Sequence, residues 1–321
     1  MKRRQLLQAS AVLLLPTLAR AQGYPARPIR YIVPVAAGGG NDMIARVVTQ
    51  KWAAALGQPF VVENIAGAGG VIASQTTARA APDGYTLLQG YVATHGTNPA
   101  TRKVPYDAVK DFSPIGMIGA TPNVLAISAT LPAKTVAEFI DYAKKNPDKV
   151  NYGSAGPGSL THLTMELFKQ ETGLGILHVP YKGIAPAIND LLGGQVQAMF
   201  PGTAAALPQI RAGKLRALAV TGRERSPQLP DVPTMEQAGF KGFDAMQWYG
   251  SVGPANMPAD IVKRLNETQV QVLKDPELRE KLEVEAVEPW PMTPAEFGRF
   301  IQSEVQRWSA LAKARNIQLT D

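Results

Sequence analysis

The chain of 321 residues has no cysteine, three histidines and no long apolar run. Without cysteine there is no disulfide framework and no thiol chemistry, and a chain of this length has core enough to do without cross-links. The histidines, His95, His162 and His178, show no metal-ligand spacing, so neither a metal nor any other cofactor is expected. No stretch approaches the roughly 20 apolar residues that a membrane-spanning helix needs. Blocks of Lys and Arg are also missing, which removes the electrostatic case for nucleic acid. The positive charge is concentrated at the start. Lys2, Arg3, Arg4 and Arg20 fall within the first 21 residues with no acid, so the formal net charge of +7 drops to +3 without them.

Those first residues, MKRRQLLQASAVLLLPTLARA, have a basic start, a short apolar core from Ala11 to Leu15 and an Ala-Arg-Ala ending at Ala21. That is the layout of a secretory signal peptide, residues 1–21, with cleavage expected before Gln22. Arg3-Arg4-x-x-Leu leaves both the general and the twin-arginine export routes open.

Beyond it, short β-branched runs such as IRYIVP, PFVVEN and NVLAIS alternate with helical patterns such as DMIARVVTQKWAAAL and SLTHLTMELFKQET. Alternation of this kind predicts an α/β fold with mostly parallel sheets. Near residues 118–126 and 245–254 the chain is extended for longer than one strand between helices, and both stretches are read as crossings between two lobes. Lobe 1 is then 24–120 plus 250–321, and lobe 2 is 125–244. At the end of the chain Phe297, Ile301, Val305, Trp308 and Leu311 recur at helical spacing and face the core.

Three strand-to-helix junctions are rich in glycine. VAAGGGNDMIAR (Val35–Arg46) is not a P-loop, because it lacks the lysine and the hydroxyl that phosphate and magnesium require. It reads either as a tight turn or as a helix N-terminus with Asn41 as N-cap, whose bared amides suit an anion. Asp42 and Arg46 are spaced to pair within that helix. ENIAGAGGVIA (Glu63–Ala73) begins like a dinucleotide fingerprint but has Ile72 at the last glycine position and no acid for the ribose. NYGSAGPGSLTHL (Asn151–Leu163) places Ser159 as N-cap of a helix, with Ser154, Thr161 and His162 around exposed amides. A hydrolase with Ser159 as nucleophile and His162 as base is the alternative, although the G-x-S-x-G elbow is missing and no third member is evident. Aimed at one cleft, these junctions make an anion site of amides and hydroxyls, since the cleft loops hold almost no arginine. A carboxylate fits it best.

From Tyr24 to the C-terminus the sequence also resembles the substrate-binding receptors of tripartite tricarboxylate transporters, the Bug receptors. The segments that carry it include YPARPIRYIVPVAAGGGNDMIAR, APDGYTLLQG, NPATRKVPYDAVKDFSPIGMI, VNYGSAGPGSLTHL, HVPYKGIAPAINDLLGGQVQAMF and GKLRALAVTGRERSPQLPDVPTMEQAGF. The resemblance implies a periplasmic-binding-protein-like Venus flytrap of two α/β lobes. It implies a periplasmic receptor that is not an enzyme, works as a monomer, and delivers a small carboxylate to integral-membrane transporter subunits. Ligands of the family are di- and tricarboxylates, acidic amino acids and aromatic acids. The family's binding roles fall on Ala36, Ala37, Gly38, Gly39 and Asp42 in the first loop, and on Ser154, Gly156, Gly158, Ser159 and His162 in the second. Thr94 and His95 are expected to line the cleft as well. Many relatives read MFD where this chain reads MFPGT, so Pro201 stands in place of an acid that could hold a ligand ammonium group. That departure favours di- or tricarboxylates and aromatic acids over amino acids.

Overall fold

A computed structural model describes residues 23–319; the signal-peptide reading of residues 1–21 lies outside them. The first sheet begins with β1 (Ile29–Val33), and α1 (Gly40–Leu56) returns the chain to β2 (Phe60–Asn64). A second return through α2 (Val71–Ala78) leads to β3 (Thr86–Tyr91), then to α3 (Asn98–Thr101) and the long β4 (Phe112–Pro122). The chain then enters a second sheet with β5 (Val124–Ser128), α4 (Val136–Lys145), β6 (Asn151–Ser154), α5 (Leu160–Thr172) and β7 (Leu177–Pro180). That sheet is completed by α6 (Ile184–Leu192), β8 (Ala198–Met199), α7 (Thr203–Arg211) and β9 (Leu215–Val220). The return to the first sheet adds β10 (Met246–Pro254), α8 (Ala259–Val272), α9 (Pro276–Val284), β11 (Glu288–Pro289) and α10 (Pro294–Ala314).

Strand order is β11-β4-β10-β3-β1-β2 in the first sheet and β7-β6-β8-β5-β9 in the second. Both sheets are mixed rather than mostly parallel. The β1–β2, β1–β3, β6–β7 and β6–β8 pairs are parallel, as strand–helix–strand returns allow. The strands that connect the lobes reverse direction: β10 runs antiparallel to both β3 and β4, and β5 antiparallel to β8 and β9.

The crossings lie side by side. Asn123 follows β4, and its backbone N–H donates to the Thr221 hydroxyl at 2.9 Å. Thr221 in turn donates to the Ala245 carbonyl at 2.7 Å. The extended aromatic stretch expected at the second crossing is strand β10, an inner member of the first sheet. Its length reflects pairing with β4 along nine residues, from Met246 opposite Pro122 to Pro254 opposite Phe112.

α10 starts with a capping box between Thr293 and Glu296. It buries Phe297, Ile301, Trp308 and Leu311, four of the five residues its spacing marked, while Val305 is half-buried. The helix lies flush on β10 because Gly250 has no side chain to collide with the Phe297 ring. The largest apolar core joins Leu88, Trp248 and Phe297 to Phe139, Phe168 and Phe200, and so runs from one lobe into the other.

Candidate functional site

A cavity of about 720 Å³ lies between the lobes. Gly40, Gly69, Tyr91 and Val92 line it from the first sheet's side; Thr121 and Asn123 line it at the crossing. The second sheet's side supplies Ala155, Pro157–Thr161, Gly202, Ala204 and Ala205. A larger groove of about 840 Å³ runs between residues 108–114, α8 and α10, and contains none of the three junctions.

The junction before α5 is closed by its own side chains. Thr161 accepts the Ala155 N–H at 2.8 Å, Ser154 accepts the Gly156 N–H at 3.1 Å, and the His162 Nδ1 accepts the Gly158 N–H at 3.1 Å. Ser159 is the N-cap, accepting the His162 N–H at 3.3 Å and donating to the Gly156 carbonyl at 2.6 Å. Gly156 and Gly158 hold φ of +118° and +71°, which a side chain would strain. The amides left over are those of Leu160 and Thr161, the first two residues of the helix, which have no partner within it. Both residues line the cavity.

Beneath this loop the rings of His162, His178 and Tyr152 are stacked, with 4.1 Å between the two imidazole centroids. Ser154 meets the His178 Nε2 at 2.6 Å. Burial, with the neighbouring His178, pulls the His162 pKa down to about 4, so the ring is neutral and free to accept. Below the stack Glu166 accepts from Tyr152 and Lys169, each at 2.6 Å, and from Arg315 at 2.8 Å. Burial acts against its charge, yet these donors outweigh it and bring its pKa to about 2.

The hydrolase reading fails on this geometry. The imidazole of His162 is turned to the Gly158 amide and to His178, and only its backbone N–H reaches the Ser159 hydroxyl. Among the described residues Ser159 therefore has no base.

The junction before α1 is closed differently. Ala36, Ala37, Gly38 and Gly39 form an exposed loop, and Gly40, the first helical residue, is the one that lines the cavity. The N-cap is Gly39, not Asn41, because Gly39 carries the extended backbone and Asn41 already lies in the helical first turn. Asp42 is buried, and its oxygens are taken up by the Gly38 N–H at 2.9 Å, Arg46 at 3.0 Å and Asn64 at 2.9 Å. Burial alone would raise its pKa; these donors reverse the shift and hold it below the usual carboxylate value. Asp42 ties the loop to its helix and strand and does not face the cavity.

Thr94 and His95 are fully buried behind the cleft rather than lining it. The Thr94 hydroxyl exchanges hydrogen bonds with the backbone of Tyr91, and His95 packs edge-on against Phe112, its pKa lowered to about 3 by burial. Val92 and Ala93, at the start of the same turn, take the lining positions. Pro201 is likewise buried, its carbonyl accepting the Val124 N–H at 2.9 Å, and the next residues reach the cavity instead. Gly202 caps α7, and Ala204 and Ala205 present that helix's N-terminus to the cleft.

Several lining groups carry no local signal in the sequence. Arg102 brings a guanidinium where amides and hydroxyls alone were expected. Gln247 and Tyr249 come from β10, and Glu285 from the end of α9. Gln247 and Tyr249 reach the cleft because β10 pairs with β3, setting Tyr249 opposite Tyr91.

Residues 44–317 match the tripartite tricarboxylate transporter family receptor. The chain belongs to this family. The receptor is 37% identical to protein BugT of Bordetella pertussis over 305 residues, 93% of this chain and 92% of that one. Among solved structures it is similar to R. palustris Rpa4515 with adipate, at 36% identity and a TM-score of 0.79, covering 90% of this chain and 97% of that chain. It is also similar to MatC from Rhodopseudomonas palustris with bound malate, at 34% identity and a TM-score of 0.75, with 90% and 99% covered. The two sheets with their helices are the lobes of a periplasmic-binding-protein fold, and the family is one of solute-binding receptors.

Proposed function

We propose that the receptor binds a small carboxylate between its lobes outside the cytoplasm and delivers it, as a monomer, to the integral-membrane subunits of a tripartite tricarboxylate-type transporter. One observation carries the reading: the N-termini of α5 and α7 meet Arg102 at a single interlobe cavity. Helix N-termini and a guanidinium both favour an anion, and backbone donors suit a planar carboxylate. Adipate and malate, held by the two R. palustris neighbours, are such ligands. Of the residues first considered, Gly158 and Ser159 contact the ligand, with Leu160 and Thr161 beside them. Ser154, Gly156 and His162 position that loop, Asp42 positions the first, and Ala36–Gly39 stand at the rim. Residues 1–21 direct export, and the lobes, near 24–120 with 250–321 and 125–244, close about the paired crossings.

A thermal-shift screen of carboxylates, sugars and nucleotides tests the reading. A ligand at about 100 times its dissociation constant adds roughly 2.7 kcal/mol to stability. Carboxylates should raise the melting temperature without added metal or nucleotide, and should be recovered unchanged. Stabilisation by sugars or nucleotides alone would remove the basis for the proposal.

A further inference from the structure

Among the described residues the cavity has two charged side chains in its lining, Arg102 and Glu285, and they are of opposite sign. Glu285 follows α9, and no hydrogen bond or ion pair among the described residues engages its carboxylate. Its Oε2 lies 2.7 Å from the point where a Cβ on Gly40 would stand. Gly40 is the first residue of α1, so the carboxylate is seated against the N-terminus of that helix. The first-turn amides there lack intrahelical partners, and the positive end of the helix dipole favours the charge. The chain thus places its own anion where the first lobe offers backbone donors, and glycine at 40 leaves the room for it.

Tyr91 and Tyr249, both in the lining of the cavity, are cross-strand partners in the first sheet. Burial raises the pKa of both phenols; the charge of Arg102 acts against that rise at Tyr91, and the charge of Glu285 adds to it at Tyr249. A ligand in this cavity meets a bare carboxylate acceptor where α1 begins.

We propose that Glu285 sets the ligand class, reserving the α1 end of the cleft for a hydrogen-bond donor, so that the receptor prefers a carboxylate with an ammonium or hydroxyl group at its far end over a dicarboxylate of the same length. This rests on the carboxylate-receptor reading. It reverses the inference from Pro201: the acid missing from the second lobe is replaced by one from the first. A second carboxylate at that end would face Glu285 at close range, and like charges so placed oppose binding strongly.

The test is calorimetric titration of glutarate, 4-hydroxybutyrate and 4-aminobutyrate, which share one spacing, into the wild-type receptor and Glu285→Gln. Wild type should bind the amino acid most tightly and the diacid least. Glu285→Gln should shift the ratio of the two dissociation constants toward the diacid by about tenfold or more. Gly40→Ala, whose methyl group pushes the carboxylate aside without removing its charge, should shift it the same way by less. If these carboxylates bind and Glu285→Gln moves the ratio by less than about tenfold, the proposal is overturned while the receptor reading stands. If no carboxylate binds the wild type at all, the receptor reading fails and the proposal with it.

Discussion

The loop before α1 and the loop before α5 share a local pattern of strand, glycines and helix start, yet they are closed by different means. In the first, one buried carboxylate, Asp42, gathers Gly38, Arg46 and Asn64. In the second, neutral hydroxyls and an imidazole absorb the amides of Ala155, Gly156 and Gly158 one by one. The consequence is electrostatic. The first loop is tied by an anion and has a second anion, Glu285, against its helix start. The second loop keeps two helix-start amides, and among the described residues no carboxylate is bonded to them. Two similar motifs therefore differ in what they can hold, and the carboxylate belongs to the second.

The largest expected effect comes from the support beneath the second loop. Glu166 joins the histidine stack, through Tyr152, to Arg315 just past α10. Replacing it with glutamine leaves Lys169 and Arg315 without a counter-charge in a largely buried site. Stability in urea unfolding should fall by about 3 kcal/mol. A loss under about 1 kcal/mol would mean that the stack needs no such support.

Acid should separate the two loops. The pKa of His162 is lower in the folded protein, about 4 against an ordinary 6.5, so protons bind the unfolded chain more readily. That contribution is fully present above about pH 6.5 and is lost as the pH falls toward 4; by linkage it is worth roughly 3 kcal/mol. Glu166 then adds its own loss between about pH 4.5 and 2. Asp42, held below its ordinary value of 3.8, keeps the first loop through the histidine window. Melting temperatures from pH 7.5 to 4 should fall for wild type and fall less steeply for His162→Gln. Equal slopes would assign the loss elsewhere.

Asp42→Ala strands the Gly38 amide and the Asn64 side chain, for an expected loss of about 2 kcal/mol in stability. The smallest effect is that of Ser159→Ala, about 1 kcal/mol through the lost cap, read in the same unfolding experiment. If Ser159→Ala proved the more damaging of the two, the contrast between a loop tied by one carboxylate and a loop tied by many neutral groups would not hold.

Features fixed by neighbours in sequence were legible in it. Ser159 caps α5 as a serine after glycines should, Asp42 pairs with Arg46 one turn on, and the stripe of α10 faces the core. The site's charged residues were not legible. Arg102 follows a four-residue helix and Glu285 follows a helix nearly two hundred residues later, and only the tertiary fold brings both to one cleft. Thr94 and His95 were misplaced for a related reason. They follow a strand at its cleft end, but a π-helical turn carries them inward, where Thr94 satisfies the end of β3. The acid missing at Pro201 was visible, whereas the acid that stands in for it was not.

Everything proposed for the cleft depends on backbone donors at the start of α5, and one amide can be deleted with little else changed. Leu160 is the first helical residue, where proline is tolerated, and Ser159 before it already has the extended φ of −67° and ψ of 157° that proline demands. Leu160→Pro and Leu160→Ala both lose the leucine side chain, but only the first loses the N–H. Calorimetric titration of a carboxylate that stabilises the wild type should find Leu160→Pro weaker than Leu160→Ala by roughly 10- to 150-fold, the worth of a hydrogen bond to a charged group. Equal affinity in two folded variants would contradict the claim that this amide holds the ligand.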